Sequence, residues 1–131
     1  MNNIELEKKT KSVIHSLKYE TGVVSAVDIL IKLEYLSKKD YEDWRFGKVD
    51  YLEKVCKANL RKLTLINKTI REIAKDLKLD KSWTAYDQYG KGVNRRLRFS
   101  KSGKKNIEDT YATHYLNKKR ILELKIERAS L

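Results

Sequence analysis

Residues 82–103 read SWTAYDQYGKGVNRRLRFSKSG, and the fold turns on what this stretch forms. Residues 83–89 are rich in aromatic and β-favouring side chains, Gly90-Lys91-Gly92 follows, and a second alternating run comes after it. In that second run Val93, Leu97 and Phe99 fall on one face and Asn94, Arg96, Arg98 and Ser100 on the other, because side chains in a strand alternate with period two. Arg95 interrupts the apolar face, which points to an open or bulged edge. The glycines permit the positive φ that a tight connection needs. The stretch therefore predicts a basic, aromatic β-hairpin in a chain that otherwise patterns as helix.

Charge gathers here. Residues 81–105 hold eight basic side chains against Asp87 alone, so +7 of the chain's net +12. Guanidinium forks pair with phosphate oxygens, and aromatic faces give bases a surface to stack on. On that chemistry Lys91, Arg95, Arg96, Arg98, Lys101 and Lys104 are candidate phosphate contacts, with Trp83, Tyr86 and Tyr89 as candidate stacking residues. The competing reading is a solubilising hairpin whose aromatics pack on the helices. A single-sign cluster repels itself unless a partner relieves it, which favours the binding reading for the arginines.

The remaining composition bounds the answer. At 131 residues and 40% hydrophobic content the chain suits one domain with its own core, and 37% charged residues with a net charge of +12 suit an anionic partner. Nucleic acid is the first such partner and an acidic protein the second. The lone Cys56 excludes an internal disulfide, and no apolar run approaches a membrane span, so a cytoplasmic protein without a membrane role is expected.

Along the chain, residues 4–20 pattern as a helix with Leu6, Val13, Ile14 and Leu17 on one side and Gly22 where its cap belongs. Ser25 with Asp28 and Ser37 with Asp40 have N-cap spacing, opening an apolar helix through Leu36 and a short one carrying Tyr41, Trp44 and Phe46, the last two assigned to packing. Asp50 with Glu53 reads as a third cap.

The longest pattern follows. Leu52, Cys56, Asn59, Leu63, Ile66, Ile70, Ile73 and Leu77 make a heptad-like seam over about 50–79. Opposite it Lys54, Lys57, Arg61, Lys68, Arg71, Lys75 and Lys78 form a basic stripe, a further set of phosphate contacts or a solvated face. The seam is covered by this chain or by a second copy, so monomer and homodimer both remain open, and Thr64 and Asn67 mark a place for a kink. Asn106 with Asp109 reads as the cap of a last helix, within which residues 120–131 alternate like a strand but have a helical composition.

Metal and phosphate-loop chemistry do not fit: His15 and His114 are far apart beside one cysteine, and the Gly92 and Gly103-Lys104 pieces have the wrong spacing. No cofactor is implied. The one local acid–base group is His114 among Glu108, Tyr111 and Tyr115, a weak basis for metal-free RNA cleavage with Arg96 or Arg98 on the phosphate.

The string of residues 82–86, Gly90-Lys91-Gly92, residues 97–103, Ile107-Glu108 and residues 111–115, that is SWTAY, GKG, LRFSKSG, IE and YATHY, resembles a family of small bacterial proteins that carries no assigned activity. The resemblance implies a bacterial or mobile-element origin and transfers no functional residue. The resulting expectation is a single mainly α domain over 1–131 with one β-hairpin (α+β), winged-helix-like with the hairpin as wing. It comprises a helical scaffold at 1–47, a long basic-faced helix at 48–80, the hairpin at 82–103 and a C-terminal helix at 106–131. Its expected function is non-catalytic nucleic-acid binding, with an inhibitor-like interaction protein for an acidic surface as the alternative.

Overall fold

The computed structural model describes residues 1–130 as a mainly helical α+β fold around a small antiparallel sheet. Helix α1 (Asn3–Glu20) starts where Asn2 accepts from the Glu5 N–H, and it buries Leu6, Ile14 and Leu17. Strand β1 (Val23–Val24) precedes α2 (Ala26–Lys32) and α3 (Lys38–Arg45), which open where the hydroxyls of Ser25 and Ser37 accept from the N–H groups of Asp28 and Asp40. Both caps fall at the spacing the sequence marks.

The long helix is a shorter one. Residues 52–55 make a single 3₁₀ turn, and α4 spans Leu60–Asp76. Asn59 opens α4 by accepting from the Lys62 N–H at 2.9 Å. Upstream the backbone bonds elsewhere: the N–H groups of Leu52, Glu53 and Lys57 donate to the carbonyls of Arg98, Phe99 and Tyr35. Tertiary partners thus replace helical ones, and the seam of residues 50–79 is not one helix. α1 packs along α4, whose Leu63, Ile66 and Ile70 are buried within this chain. Asp50 and Glu53 do not cap; the 3₁₀ turn has no side-chain cap bond.

Strand β2 (Asp80–Trp83) does not pair with residues 93–100. It pairs with β3 (Thr113–Leu116), which lies between β1 and β2 with Val24 opposite Tyr115 and Ser82 opposite His114. The expected C-terminal helix at 106–131 is therefore divided into α5 (Lys105–Ala112), β3 and α6 (Lys118–Ala129), with Asn117 capping α6 through the Arg120 N–H. β-favouring Thr113 and Tyr115 supply the central strand. α5 begins without a side-chain cap, so Asn106 and Asp109 do not open it. Of the expected 106–131 helix, residue 131 lies outside the described residues.

The predicted hairpin is reduced to one bridge between Asp87 and Arg96, with Leu97 N–H donating to Tyr86 O and Gln88 N–H to Arg95 O, each at 2.8 Å. Several of its other backbone groups have partners elsewhere. Thr84 N–H donates to Ala112 O, and Trp44 Nε1 joins Leu52 in donating to Arg98 O. The Glu108 carboxylate collects the N–H groups of Phe99 and Ser100. A ladder cannot extend where each rung already has another partner. The wing of a winged helix is accordingly not formed as two strands. No helix among the described residues is long and apolar enough to cross a membrane.

Candidate nucleic-acid interface

Residues 96–104 are built as a rigid outer strip. Leu97 and Phe99 turn inward and are buried, which leaves Arg96 and Arg98 outward as expected, but the alternation fails at its ends, where Val93 is exposed and Ser100 is buried. Phe99 sits in an aromatic core, stacked on Tyr111 at 5.4 Å and tilted against Trp44 and Tyr86 at 5.2 Å each. Two carboxylates then brace the strip. Glu108 accepts from Phe99 N–H at 2.9 Å, Ser100 N–H at 2.8 Å and Ser100 Oγ at 2.6 Å. Glu53 accepts from Lys101 N–H at 2.9 Å and from Tyr111 Oη at 2.7 Å. Ser100 Oγ in turn accepts from Gly103 N–H at 3.0 Å. Gly103 has φ +67°, and a Cβ there would stand 3.3 Å from Arg98 Cδ, so glycine lets the arginine stem lie against the turn.

The arginines lie over rings. Arg96 Cζ is 4.9 Å from the centroid of Trp83, Arg98 Cζ is 5.3 Å from Tyr51, and Arg45 Cζ is 4.1 Å from Tyr89. A guanidinium resting on a ring loses side-chain freedom while keeping N–H groups to donate. Trp83 is itself fixed, its Nε1 donating to Asp109 Oδ1 at 3.1 Å. The Lys105 ammonium, and then that indole, hold the Asp109 carboxyl below the usual carboxylate range.

Arg96, Arg98, Lys101 and Lys104 share this strip, with Lys91 and Arg95 further out on the loop, all exposed. Among the described residues none of the six takes part in an ion pair. The stripe is only partly as expected. Arg61, Lys68, Arg71 and Lys75 share an exposed face of α4, but Lys54 and Lys57 precede that helix and do not belong to it. Acids also enter: Lys68 pairs with Glu72 at 3.8 Å and Lys54 with Asp50 at 3.5 Å, both in the open.

Of the stacking candidates, Trp83 is 51% exposed and Tyr89 41%, whereas Tyr86 is 8% exposed. Tyr86 faces the core because its backbone pairs opposite the buried Leu97, and it cannot stack on a partner. Its Oη meets His114 Nε2 at 2.9 Å. His114 lies on β3 rather than on a helix with Tyr111, and burial pushes its pKa down from the ordinary value, against a smaller opposing effect of Asp28. The imidazole is thus occupied by a structural bond, and Glu108, its supposed neighbour, braces the strip instead.

Three features escaped the sequence. Phe46, assigned to packing alongside Trp44, is 50% exposed and meets only Tyr89 among the rings of the described residues. Tyr51 and Arg45 supply a stacking ring and a stacked cation from outside the marked stretch. A trench of about 650 Å³ opens between the start of α4 and the strip, lined mainly by Tyr51, Ala58, Leu60, Leu63 and Ile107, with Lys101 and Lys104 also at its wall. No family model, curated protein or solved structure matches this chain, so the functional reading rests on its own geometry.

Proposed function

We propose that this protein binds nucleic acid without catalysis, through the strip at residues 96–104 and the neighbouring loop. The observation that supports it most is the pairing of Arg96 and Arg98 with Trp83 and Tyr51 on a braced backbone, with no acidic partner for either arginine among the described residues. Holding a cation rigid and unneutralised costs stability through self-repulsion, and an anionic ligand offsets that cost. Lys101 and Lys104 add charge on the same strip, and Arg61, Arg71 and Lys75 extend it along α4. The test is replacement of Arg96 and Arg98 together by alanine. Binding should weaken across sequences, and the salt slope on duplex DNA should fall by about 0.9 for each phosphate no longer neutralised. Affinity and slope equal to the parent protein's would remove the strip from the proposal.

The trench favours a second reading, an acidic protein segment with apolar anchors. Leu60 is 67% exposed at the trench mouth, and Lys101 and Lys104 would face the acids. Leu60→Ser separates the two readings. It removes an apolar anchor without adding charge beside Lys101 and Lys104 and leaves the arginine strip intact, so nucleic-acid affinity should change by less than about threefold, under about 1 kcal/mol by the usual conversion.

A further inference from the structure

The loop beyond the arginine strip carries an aromatic pair that the fold leaves open. Phe46 follows α3 directly, and its ring centroid stands 5.5 Å from that of Tyr89 at an interplanar angle of 76°. The backbone beneath both is fixed. Phe46 N–H donates to Glu42 O at 2.9 Å, Tyr89 N–H to Arg45 O at 2.6 Å, and Gln88 Nε2 to Phe46 O at 3.4 Å. In an edge-to-face pair Tyr89 covers at most one face of the Phe46 ring. Phe46 is half exposed and Tyr89 is also exposed, so both rings present surface that a ligand can reach.

The charge around the pair is cationic on the side of the loop. Arg45 lies over Tyr89, Lys91 stands at the turn that follows it, and Arg95 is tied to that segment through Gln88. Exposed aromatic rings among cations match the chemistry of a nucleobase with its phosphate close by.

We propose that Phe46 and Tyr89 form a base-stacking platform, and that the ligand is therefore single-stranded nucleic acid, DNA or RNA, rather than duplex. This rests on the nucleic-acid reading above and adds the strand class. In a duplex both faces of each base are occupied by neighbours, so only an unpaired base has a face to offer. A platform residue contributes through its ring, which sets it apart from a general apolar contact.

The experiment compares one DNA oligonucleotide, its RNA counterpart and the matched duplex by fluorescence anisotropy, with 2-aminopurine in the single strands to report stacking. Phe46→Leu keeps apolar bulk without a ring, and Phe46→Trp keeps the ring. The parent protein should bind the single strands more tightly than the duplex and quench 2-aminopurine. Phe46→Leu should lose roughly 5- to 150-fold in single-strand affinity and Phe46→Trp should retain it, as expected for one stacked base. Duplex affinity should stay within about twofold for both, since no duplex base reaches the ring. Since Phe46 is half exposed, both variants should melt near the parent. Unchanged single-strand binding by Phe46→Leu overturns the platform, and so does an equal loss on duplex and single strand. In those cases the arginine strip stands or falls separately, on the Arg96 and Arg98 variant. A parent protein that binds none of the three nucleic acids overturns both readings.

Discussion

Glu108 is the side chain on which the proposed interface depends, and removing it should cost both stability and binding. Its carboxylate accepts three hydrogen bonds, from the N–H groups of Phe99 and Ser100 and from Ser100 Oγ. A hydrogen bond to a charged group is worth about 1.5–3 kcal/mol net. The side chain is half buried, so water recovers part of the loss, and Glu108→Ala should destabilise by about 3–4 kcal/mol. For 131 residues the entropy of unfolding near the midpoint is about 0.28 kcal/mol/K, which makes this a fall of about 11–14 °C in Tm. Ser100→Ala removes one of the three bonds together with the bond from Gly103 N–H and should cost about 2 kcal/mol, or about 7 °C. Binding supplies the sharper arm. Losing an acid raises the net positive charge, which by itself would strengthen nucleic-acid binding. If Glu108 positions Arg98 and Lys101, affinity measured well below the midpoint should instead fall. Thermal melts followed by circular dichroism, with anisotropy at low temperature, read both. A Tm drop under about 4 °C for Glu108→Ala, or tighter binding than the parent, would refute the brace.

Three further outcomes follow from the core and the caps. Burial holds His114 below its ordinary pKa, so under about pH 6.5 the unfolded chain takes up a proton that the folded state refuses, and stability falls as pH drops; at higher pH the group contributes nothing. His114→Phe should lose about 1 kcal/mol at neutral pH with the Tyr86 bond and show a flatter acid limb in urea midpoints between about pH 5 and 6.5; an unaltered limb would contradict this. Burial, with a smaller effect of Glu53, pushes the Cys56 thiol up to about 12, so alkylation by iodoacetamide at about pH 8 should run at least about tenfold slower folded than in urea. Gly22 has φ +74°, and a Cβ there would lie 2.6 Å from Ile121 Cγ1, so Gly22→Ala should destabilise by roughly 1–3 kcal/mol in a melt and loosen α6 first.

What the sequence made legible was local. Ser25 with Asp28 and Ser37 with Asp40 cap α2 and α3 because a capping bond spans three residues and needs no distant partner. The inward Leu97 and Phe99 against outward Arg96 and Arg98 were equally readable from parity, but the same parity placed Val93 inward and Ser100 outward, whereas Val93 is exposed on the loop and Ser100 is buried against Glu108. What stayed hidden was set at long range. Residues 113–116 pair with β1 and β2, segments far away in the chain, so no local pattern separated that strand from the helices around it. The seam's four-and-three spacing continues through residues 56–59 with the polar Asn59 in register, yet Asn59 caps α4 and the N–H groups of Leu52, Glu53 and Lys57 bond to Arg98, Phe99 and Tyr35, which divides the seam there. Glu53 has the spacing of a cap and serves Lys101 and Tyr111 instead. The candidate site was found through its arginines; the rings beneath Arg98 and Arg45, and the open Phe46, depended on tertiary neighbours.

The most direct test of the central claim is the salt dependence of single-strand binding, measured by anisotropy for the parent protein and for the Arg96→Ala, Arg98→Ala double variant. With about five phosphates neutralised, the slope of log K against log salt should lie near −3.5, from roughly −0.7 per phosphate on a single strand. The double variant should bring it to about −2 and weaken binding at every salt concentration. A parent protein that fails to bind at low salt, or a double variant with the parent's slope and affinity, would contradict the account.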